Sequence, residues 1–404
     1  MKNARNHKSQ RGIALLIVLI ALTILGAMTA DFMETNEVYL ANTVNHRDAT
    51  KAEYLARSGV NLSRLALSVQ PLLGGSLNFP FWQYADVLLE PFTDSEGGAG
   101  LLGDMAGISL EDAQGLGVED GDFSVLIVDE DSKINVNVGA VGKKKDRVRL
   151  LQQLGMLMAP REYDEMFDRQ DDSASFFERE EIVCEILDWA DPDEELCDQS
   201  GGEDETYYSQ QDPEYERKNA PYDSLEELHL IKGIGDDFWS AFVDPDPTDP
   251  EKRVLTVWGK GKVNVNTAPA QVLFAQICML SADESGLSPC MDMGMRFNLL
   301  QILQGVVMIR TFMPFSKVSD FIKAVENPEE RLFLPITGFP VVNKREARRV
   351  LTTESTVFSI YSEGTVGKTT RRIHMVVDME GLDMLNPTQS VAASGGKVLY
   401  WRME

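Results

Sequence analysis

Half of the side chains between Asp188 and Glu205 are carboxylates. The stretch reads DWADPDEELCDQSGGEDE, nine acids in 18 positions with no base. Carboxylates at this density repel one another, and a hard divalent cation relieves that repulsion. Calcium accepts many oxygens in flexible geometry, so a loop containing Pro and Gly suits it. The register is not that of an EF-hand. Asp188, Asp191, Asp193, Glu203 and Asp204 are the candidate ligands, and a solvated acidic loop is the competing reading. Cys184 lies just before this stretch and Cys197 within it, and Cys278 and Cys290 form a second close pair. An even count, in an oxidising compartment, reads as two local disulfides, one bracing the acidic loop. Free thiols and zinc are the alternatives, but no Cys-x-x-Cys or neighbouring His supports zinc.

Catalysis finds less support. The chain has no Gly-x-Ser-x-Gly, phosphate loop or dinucleotide fingerprint. Its clustered acids sit among Gly and Pro, which suits chelation better than a desolvated acid/base pair. His229 is expected on a helix face without a catalytic role. The expectation is a protein that is not an enzyme. The 404 residues are 43% hydrophobic and 25% charged, enough for two or three folded units. With 64 acids against 38 bases the net charge is −26. That balance argues against a broad phosphate-binding face and against docking of the soluble part on anionic lipid.

The elements that would position these groups begin with the N-terminus. Residues 1–12 carry Lys2, Arg5, Lys8 and Arg11 and no acid. Residues 13–30, IALLIVLIALTILGAMTA, are uncharged and mostly apolar. As a helix they rise roughly 27 Å, close to a hydrocarbon core. The basic flank predicts a cytoplasmic N-terminus, with the rest outside. Thr29–Ala30–Asp31 makes a poor signal-peptidase site. Leu55, Leu62, Leu65 and Val69 continue a helical stripe until Gln70–Pro71. The pattern fits one helix over 13–70, or an anchor followed by a separate surface helix.

Beyond a Gly-rich stretch, Phe123–Val128 and Lys133–Val138 read as a hairpin. A helical, acidic block follows to about 260, and a second helical stretch runs from Gly261 to about Arg349. Thr356–Ser362 and Arg371–Asp378 flank a Gly-containing turn as another hairpin, and Val398–Trp401 reads as an edge strand. The order predicts an α+β fold: a long helix packed on an antiparallel sheet, with a large helical domain inserted between its strands.

Two phrases inside the insertion read as variants of one motif. Tyr222–Gly235 predicts a helix ending in a Gly-rich hairpin. Val263–Leu273 predicts an entry turn with Thr267 as N-cap and Pro269 in the first turn. Both resemble pieces of helix-hairpin-helix or SAM-like modules. Lys232, Lys260 and Lys262 are the cations near them, few for phosphate contact.

Arg11–Gly12–Ile13, a basic leader ending in Gly before an apolar run, resembles the class III leader of type IV pilins and pseudopilins. The resemblance implies that a prepilin peptidase cuts between Gly12 and Ile13 and methylates the new N-terminus. Members usually carry Glu at the fifth mature position, where this chain has Ile17. The linked phrases Asp188–Trp–Ala–Asp–Pro–Asp193, Gly201–Gly–Glu–Asp204, Tyr207–Tyr208, Lys218–Asn–Ala–Pro221, Ser224–Leu–Glu–Glu–Leu228 and Gly261–Lys–Val–Asn–Val–Asn–Thr–Ala–Pro269 are more specific. Together they resemble the type II secretion minor pseudopilin K family. The resemblance covers most of the chain, with loops 71–120 and 275–300 expanded.

It implies a pseudopilin fold with a leader (1–12), a transmembrane helix (13–70), the first part of the α/β domain (71–142), an inserted helical domain (143–350) and C-terminal strands (351–404). It also implies calcium in the helical domain, the minor pseudopilins I and J as partners, and no nucleic acid. The implied place is single-pass in the inner membrane with the head in the periplasm, capping a pseudopilus. An uncleaved, membrane-anchored periplasmic scaffold and a DNA-uptake pilin are the alternatives.

Overall fold

The structure is a computed structural model. It describes residues 11–74, 80–85, 121–141, 143–167, 178–192, 197, 204–283, 286–380 and 396–404. Helix α1 (Arg11–Gly74) is continuous over 64 residues, roughly 95 Å by rise per residue. No Pro or helix-breaking pair interrupts it before its last turn, so the single-helix reading holds. From Ile13 to Thr43 it is exposed. Its second half lies on a four-stranded antiparallel sheet ordered β1 (Gly121–Asp129), β6 (Val357–Val366), β7 (Thr369–Asp378) and β8 (Lys397–Met403).

The buried face of α1 differs from the predicted stripe. Ala52, Leu55, Ala56, Val60, Ser63, Leu67 and Ser68 face the sheet, whereas Leu65 is 56% exposed and Leu62 half-buried. Val69's side chain lies outside the described residues. The cause is close approach: a Cβ on Gly364 would fall 2.6 Å from the Ala56 amide nitrogen, and one on Gly59 would fall 2.9 Å from Val125. Small residues mark a helix pressed against a sheet, so the largest aliphatics are a poor guide to the contact. Opposite them stand Phe123, Val125, Ile127, Phe358, Ile360, Ile373, Met375 and Val377.

The contacts also fix polarity. Asp48 lies beside Gly367, Ala52 and Ala56 beside Gly364, and Gly59 beside Phe123 and Val125. Later residues of α1 therefore meet the other end of the sheet, where Asp129 pairs with Phe358. The chain leaves the sheet at Asp129 and returns at Val357, both at the end farther from the apolar half of α1.

Residues 123–138 are not a hairpin. Strand β1 pairs with β6, and Ile134–Asn135 (β2) pairs in parallel with Leu255–Thr256 (β3). Residues 130–141 therefore go with the insertion. Helices α2 (Lys144–Met158), α3 (Arg179–Ala190), α4 (Ala270–Leu280), α5 (Met293–Arg310), α6 (Val318–Glu326) and α7 (Lys344–Val350) surround a separate apolar core. A second parallel pair, Val263–Asn264 (β4) with Leu351–Thr352 (β5), closes it.

These pairs expose a repeat. Lys133–Ile–Asn–Val–Asn137 matches Lys262–Val–Asn–Val–Asn266, and Val254–Leu–Thr256 matches Val350–Leu–Thr352. Asn137 donates to the carbonyls of Tyr222 (2.9 Å) and Val257 (2.9 Å) and accepts the Tyr222 N–H (2.7 Å). Asn266 does the same with Phe315 (3.0 and 2.8 Å) and Thr353 (3.2 Å). The matching phrases are thus 134–137 with 263–266, and Pro221–Tyr222 with Pro314–Phe315. The pairing of Tyr222–Gly235 with Val263–Leu273 is replaced. Leu225–Leu230 is a 3-10 turn, and Pro269, not Thr267, precedes α4.

Candidate functional site

Helix α3 carries the start of the acidic segment. Its buried face holds Cys184, Glu185 and Asp188, and Asp191 follows directly. Cys184 is joined to Cys197 with a Cα–Cα distance of 5.2 Å, and Cys278 to Cys290 at 5.7 Å. The first bridge brings the Cys197 N–H to Asp188, whose two oxygens accept it at 3.1 and 2.9 Å. Arg147 of α2 ion-pairs with Asp191 and lies 3.9 Å from Asp188. Both carboxylates are buried. Glu185 accepts from Tyr208 (3.1 Å), Trp189 donates to Glu227 (3.3 Å), and Trp189, Tyr208 and Tyr215 pack on one another at steep angles around them.

Of the five predicted ligands the structure therefore places Asp188 and Asp191, three residues apart on one buried turn. Asp193 and Glu203 lie outside the described residues. Asp204 opens a short helix, and only its backbone is described. Among the described residues no three His, Cys, Asp or Glu side chains converge on one point. The oxygen-only donor set fits a hard cation, and Arg147 neutralises part of its charge.

A second polar centre, missed by sequence reasoning, sits where the insertion joins the sheet. Asp129, Glu130 and Asp131 form a buried turn. Asp129 accepts from the Asp131 N–H (2.8 Å), from Thr267 (2.5 Å) and from Ser355. Burial, with the charge of Asp131, pushes its carboxyl up to about 7. Glu130 accepts from Lys133 (2.7 Å), Thr256 (2.5 Å) and Ser359 (2.6 Å). Burial works against its charge, but the Lys133 ammonium and these donors hold it below its usual range. Asp131 accepts the N–H groups of Thr356 (2.7 Å) and Val357 (3.2 Å). Three consecutive acids thus tie down both stretches of the insertion and the returning strand. The signal available was three acids followed by Ser–Lys after an apolar strand, a run too polar for a hairpin turn to bury unaided.

Between the outer face of the sheet and the insertion lies a cavity of about 870 Å³, lined by Arg253, Trp258, Tyr361, His374 and Tyr400 among others. His374 stacks on Tyr361 at 4.3 Å, and burial lowers its pKa to about 4. Ser359 lies 3.2 Å from His374 but donates its proton to Glu130. The hydroxyl is committed to the carboxylate, so the order of a nucleophile triad is not met. His229 stacks on Trp239 at 4.3 Å. Of the three cations near the hairpin-like phrases, Lys232 is held by Glu181 (3.0 Å) and Lys260 by Glu380.

Helix α1 contains one stretch long and apolar enough to cross a membrane. Ile13 and Ile17 are 59% and 60% exposed on it, and Gly12 precedes them in the same helix.

Residues 132–242 match the family described as Type II secretion system (T2SS), protein K. No curated protein matches the chain. Among solved structures, the crystal structure of the GspK-GspI-GspJ complex from the enterotoxigenic Escherichia coli Type 2 Secretion System contains a chain of similar fold. Identity is 14% and the TM-score 0.51, over 90% of this chain and 99% of that one. The resemblance read from the linked phrases is borne out by this family match, and the α+β fold by the structural one.

Proposed function

We propose that this chain, whose residues 132–242 match the protein K family of the type II secretion system, is a non-catalytic minor pseudopilin that caps and helps initiate the periplasmic pseudopilus. The observation that carries the reading is the helical block standing on the far end of the sheet, between β1 and β6. A subunit held by α1 would present that block away from the membrane, where it obstructs addition of another subunit. Ile17 supports the same role. A buried carboxylate there needs a cationic partner, and a terminal subunit has no neighbour above it to neutralise.

On this reading the inner membrane holds α1 until assembly, with residues 1–12 cytoplasmic and the head periplasmic. Prepilin peptidase removes residues 1–12 between Gly12 and Ile13. The pseudopilins I and J, named with K in the similar complex, are the partners. Intact-mass analysis of protein from its native membrane tests the processing. The expected species starts at N-methylated Ile13, and one starting at residue 1 or 2 in cells with active prepilin peptidase overturns the reading. Ile17→Glu is expected to impair capping and initiation with I and J, and an unaffected filament sinks the terminal role.

The acidic segment is proposed to hold calcium, with Asp188 and Asp191 supplying oxygens and Asp193, Glu203 and Asp204 completing the shell. Calcium would neutralise the carboxylates that Arg147 alone leaves in excess. The expected result is a calcium-dependent rise in thermal stability that Asp193→Asn with Glu203→Gln abolishes. An identical melting curve in chelator and in calcium rejects it.

A further inference from the structure

A chain of net charge −26 carries two short, strongly basic runs that the fold brings into contact through Arg149 and Glu346. Residues 143–149 read KKKDRVR and residues 344–349 read KREARR. They are two hundred residues apart in sequence, yet the fold presses them together. Arg149 of α2 donates to Glu346 of α7 through Nε (2.8 Å) and Nη2 (2.5 Å), with Asp146 held at 2.7 Å on its other side. Nine of the chain's 38 bases lie in these two short runs.

Some of the nine are spoken for. Arg147 pairs with Asp191, Lys344 with Glu326 and Arg349 with Glu346. Lys143, Lys144, Lys145, Arg345 and Arg348 are exposed, and among the described residues none makes an ion pair. Three of them crowd the start of α2, where the positive end of the helix dipole disfavours cations. Such a concentration of like charge costs stability in the free protein, and a bound polyanion removes the cost.

The geometry points to a docking site for a carboxylate-rich segment of a partner protein, formed by Lys143, Lys144, Lys145, Arg345 and Arg348. Guanidinium and ammonium groups on two adjacent helices match a run of Asp and Glu, and Arg can engage each carboxylate with two hydrogen bonds. Two other polyanions fit less well. Helices α2 and α7 are the first and last long or basic helices of the insertion, which is rooted at the end of the sheet away from the apolar half of α1. Along α1 that root stands roughly 50 Å beyond residue 30. The Debye length is about 8 Å, so a bilayer holding α1 is beyond electrostatic reach. Nucleic-acid binding would use aromatic platforms, and neither basic run contains an aromatic residue.

The test uses the full chain in detergent micelles and a fluorescently labelled poly-glutamate peptide, read by anisotropy. Binding is expected, with affinity falling about tenfold between roughly 50 and 300 mM salt. K144E with R345E and R348E should weaken it by about tenfold or more, whereas Lys368→Glu, an exposed cation in the β6–β7 turn, should leave it unchanged. The substituted side chains are exposed and Arg149 is kept, so the α2–α7 contact survives. Absent or salt-insensitive binding overturns the proposal, as does equal binding by the charge-reversed protein. Binding to phosphatidylglycerol vesicles but not to the peptide would make the face a lipid site instead. Peptide binding that emerges only after Asp193→Asn, Glu194→Gln and Glu195→Gln would mean that the chain's own acidic segment occupies it, and this also overturns the proposal.

Discussion

In the first copy of the Asn repeat, Lys133 precedes the Ile–Asn–Val–Asn run and is buried against Glu130, with 1% and 5% of the two side chains exposed. In the second, Lys262 holds the same place and lies exposed. The internal bonds are otherwise matched. Asn135 accepts the Asn137 N–H at 2.8 Å, and Asn264 accepts the Asn266 N–H at 2.9 Å. The difference lies in how each copy meets the sheet. Thr256 of the first binds Glu130, a carboxylate with a cation beside it. Thr267 of the second binds Asp129, which has no ammonium or guanidinium in contact among the described residues. The Asn pattern therefore builds the module, and the residues around it decide what the module docks on. A buried pair such as Lys133–Glu130 adds little net stability but fixes geometry, because either partner alone is costly.

The largest expected effect separates the two lysines. Lys133→Met leaves Glu130 buried without its cation and should destabilise the junction by about 3–5 kcal/mol. Lys262→Met should stay within about 0.5 kcal/mol of the parent. Hydrogen exchange of residues 130–136 against 262–266 reads each locally. Equal losses would erase the distinction between the copies.

The next effect sharpens it through pH. Asp129's pKa is raised by burial from the usual carboxylate range to about 7 in the folded protein. Asp131 and Glu130 face it from its own turn, and Thr267, Asn264, Ser355 and the Arg310 guanidinium from packed elements. A raised carboxyl binds its proton more tightly when folded. Its stabilising contribution is therefore full below about pH 4 and is lost as pH rises through about 7. A rise of roughly three pH units corresponds to about 4 kcal/mol across that window. Asp129→Asn should flatten the loss in the second copy's exchange protection and leave the first copy's unchanged. A variant whose second copy still weakens between pH 5 and 8 would place the titration elsewhere.

Much of the frame was legible because it rests on local periodicity. Helix α1, the β6–β7 hairpin and the edge strand β8 follow from runs whose partners are adjacent or whose length decides. Ile134–Asn–Val–Asn137 misled because its alternation is that of a strand while its partner, Leu255, is distant and parallel. The repeated Lys-x-Asn-Val-Asn and Val-Leu-Thr phrases were available to read, but only the fold shows that each Asn run closes on its own Val-Leu-Thr. Leu65 misled for a different reason, since a helix held against Gly364 buries Ala and Ser and leaves a Leu outside. The basic face was invisible in a net charge, which averages over the chain two runs that only tertiary structure brings together. Of the acids singled out in the sequence, Asp188 and Asp191 are buried together at the end of one helix, with the Cys197 N–H on Asp188. Arg147, on a different helix, carries no sequence mark as their partner, because nothing in its own surroundings points to it.

The smallest effect asks whether the two copies are independent. Asn137→Ala frees the Tyr222 N–H and two carbonyls, and Asn266→Ala frees the matching groups of Phe315 and Thr353. Each should cost about 2 kcal/mol, since unpaired buried backbone groups outweigh the modest net worth of the bonds removed. The loss should stay within the copy substituted, because each Asn bonds only its own returning segment. The double variant should then show additive losses in exchange protection. A non-additive result would mean that the acid turn at 129–131 transmits strain between the copies, making the junction one cooperative unit with two faces.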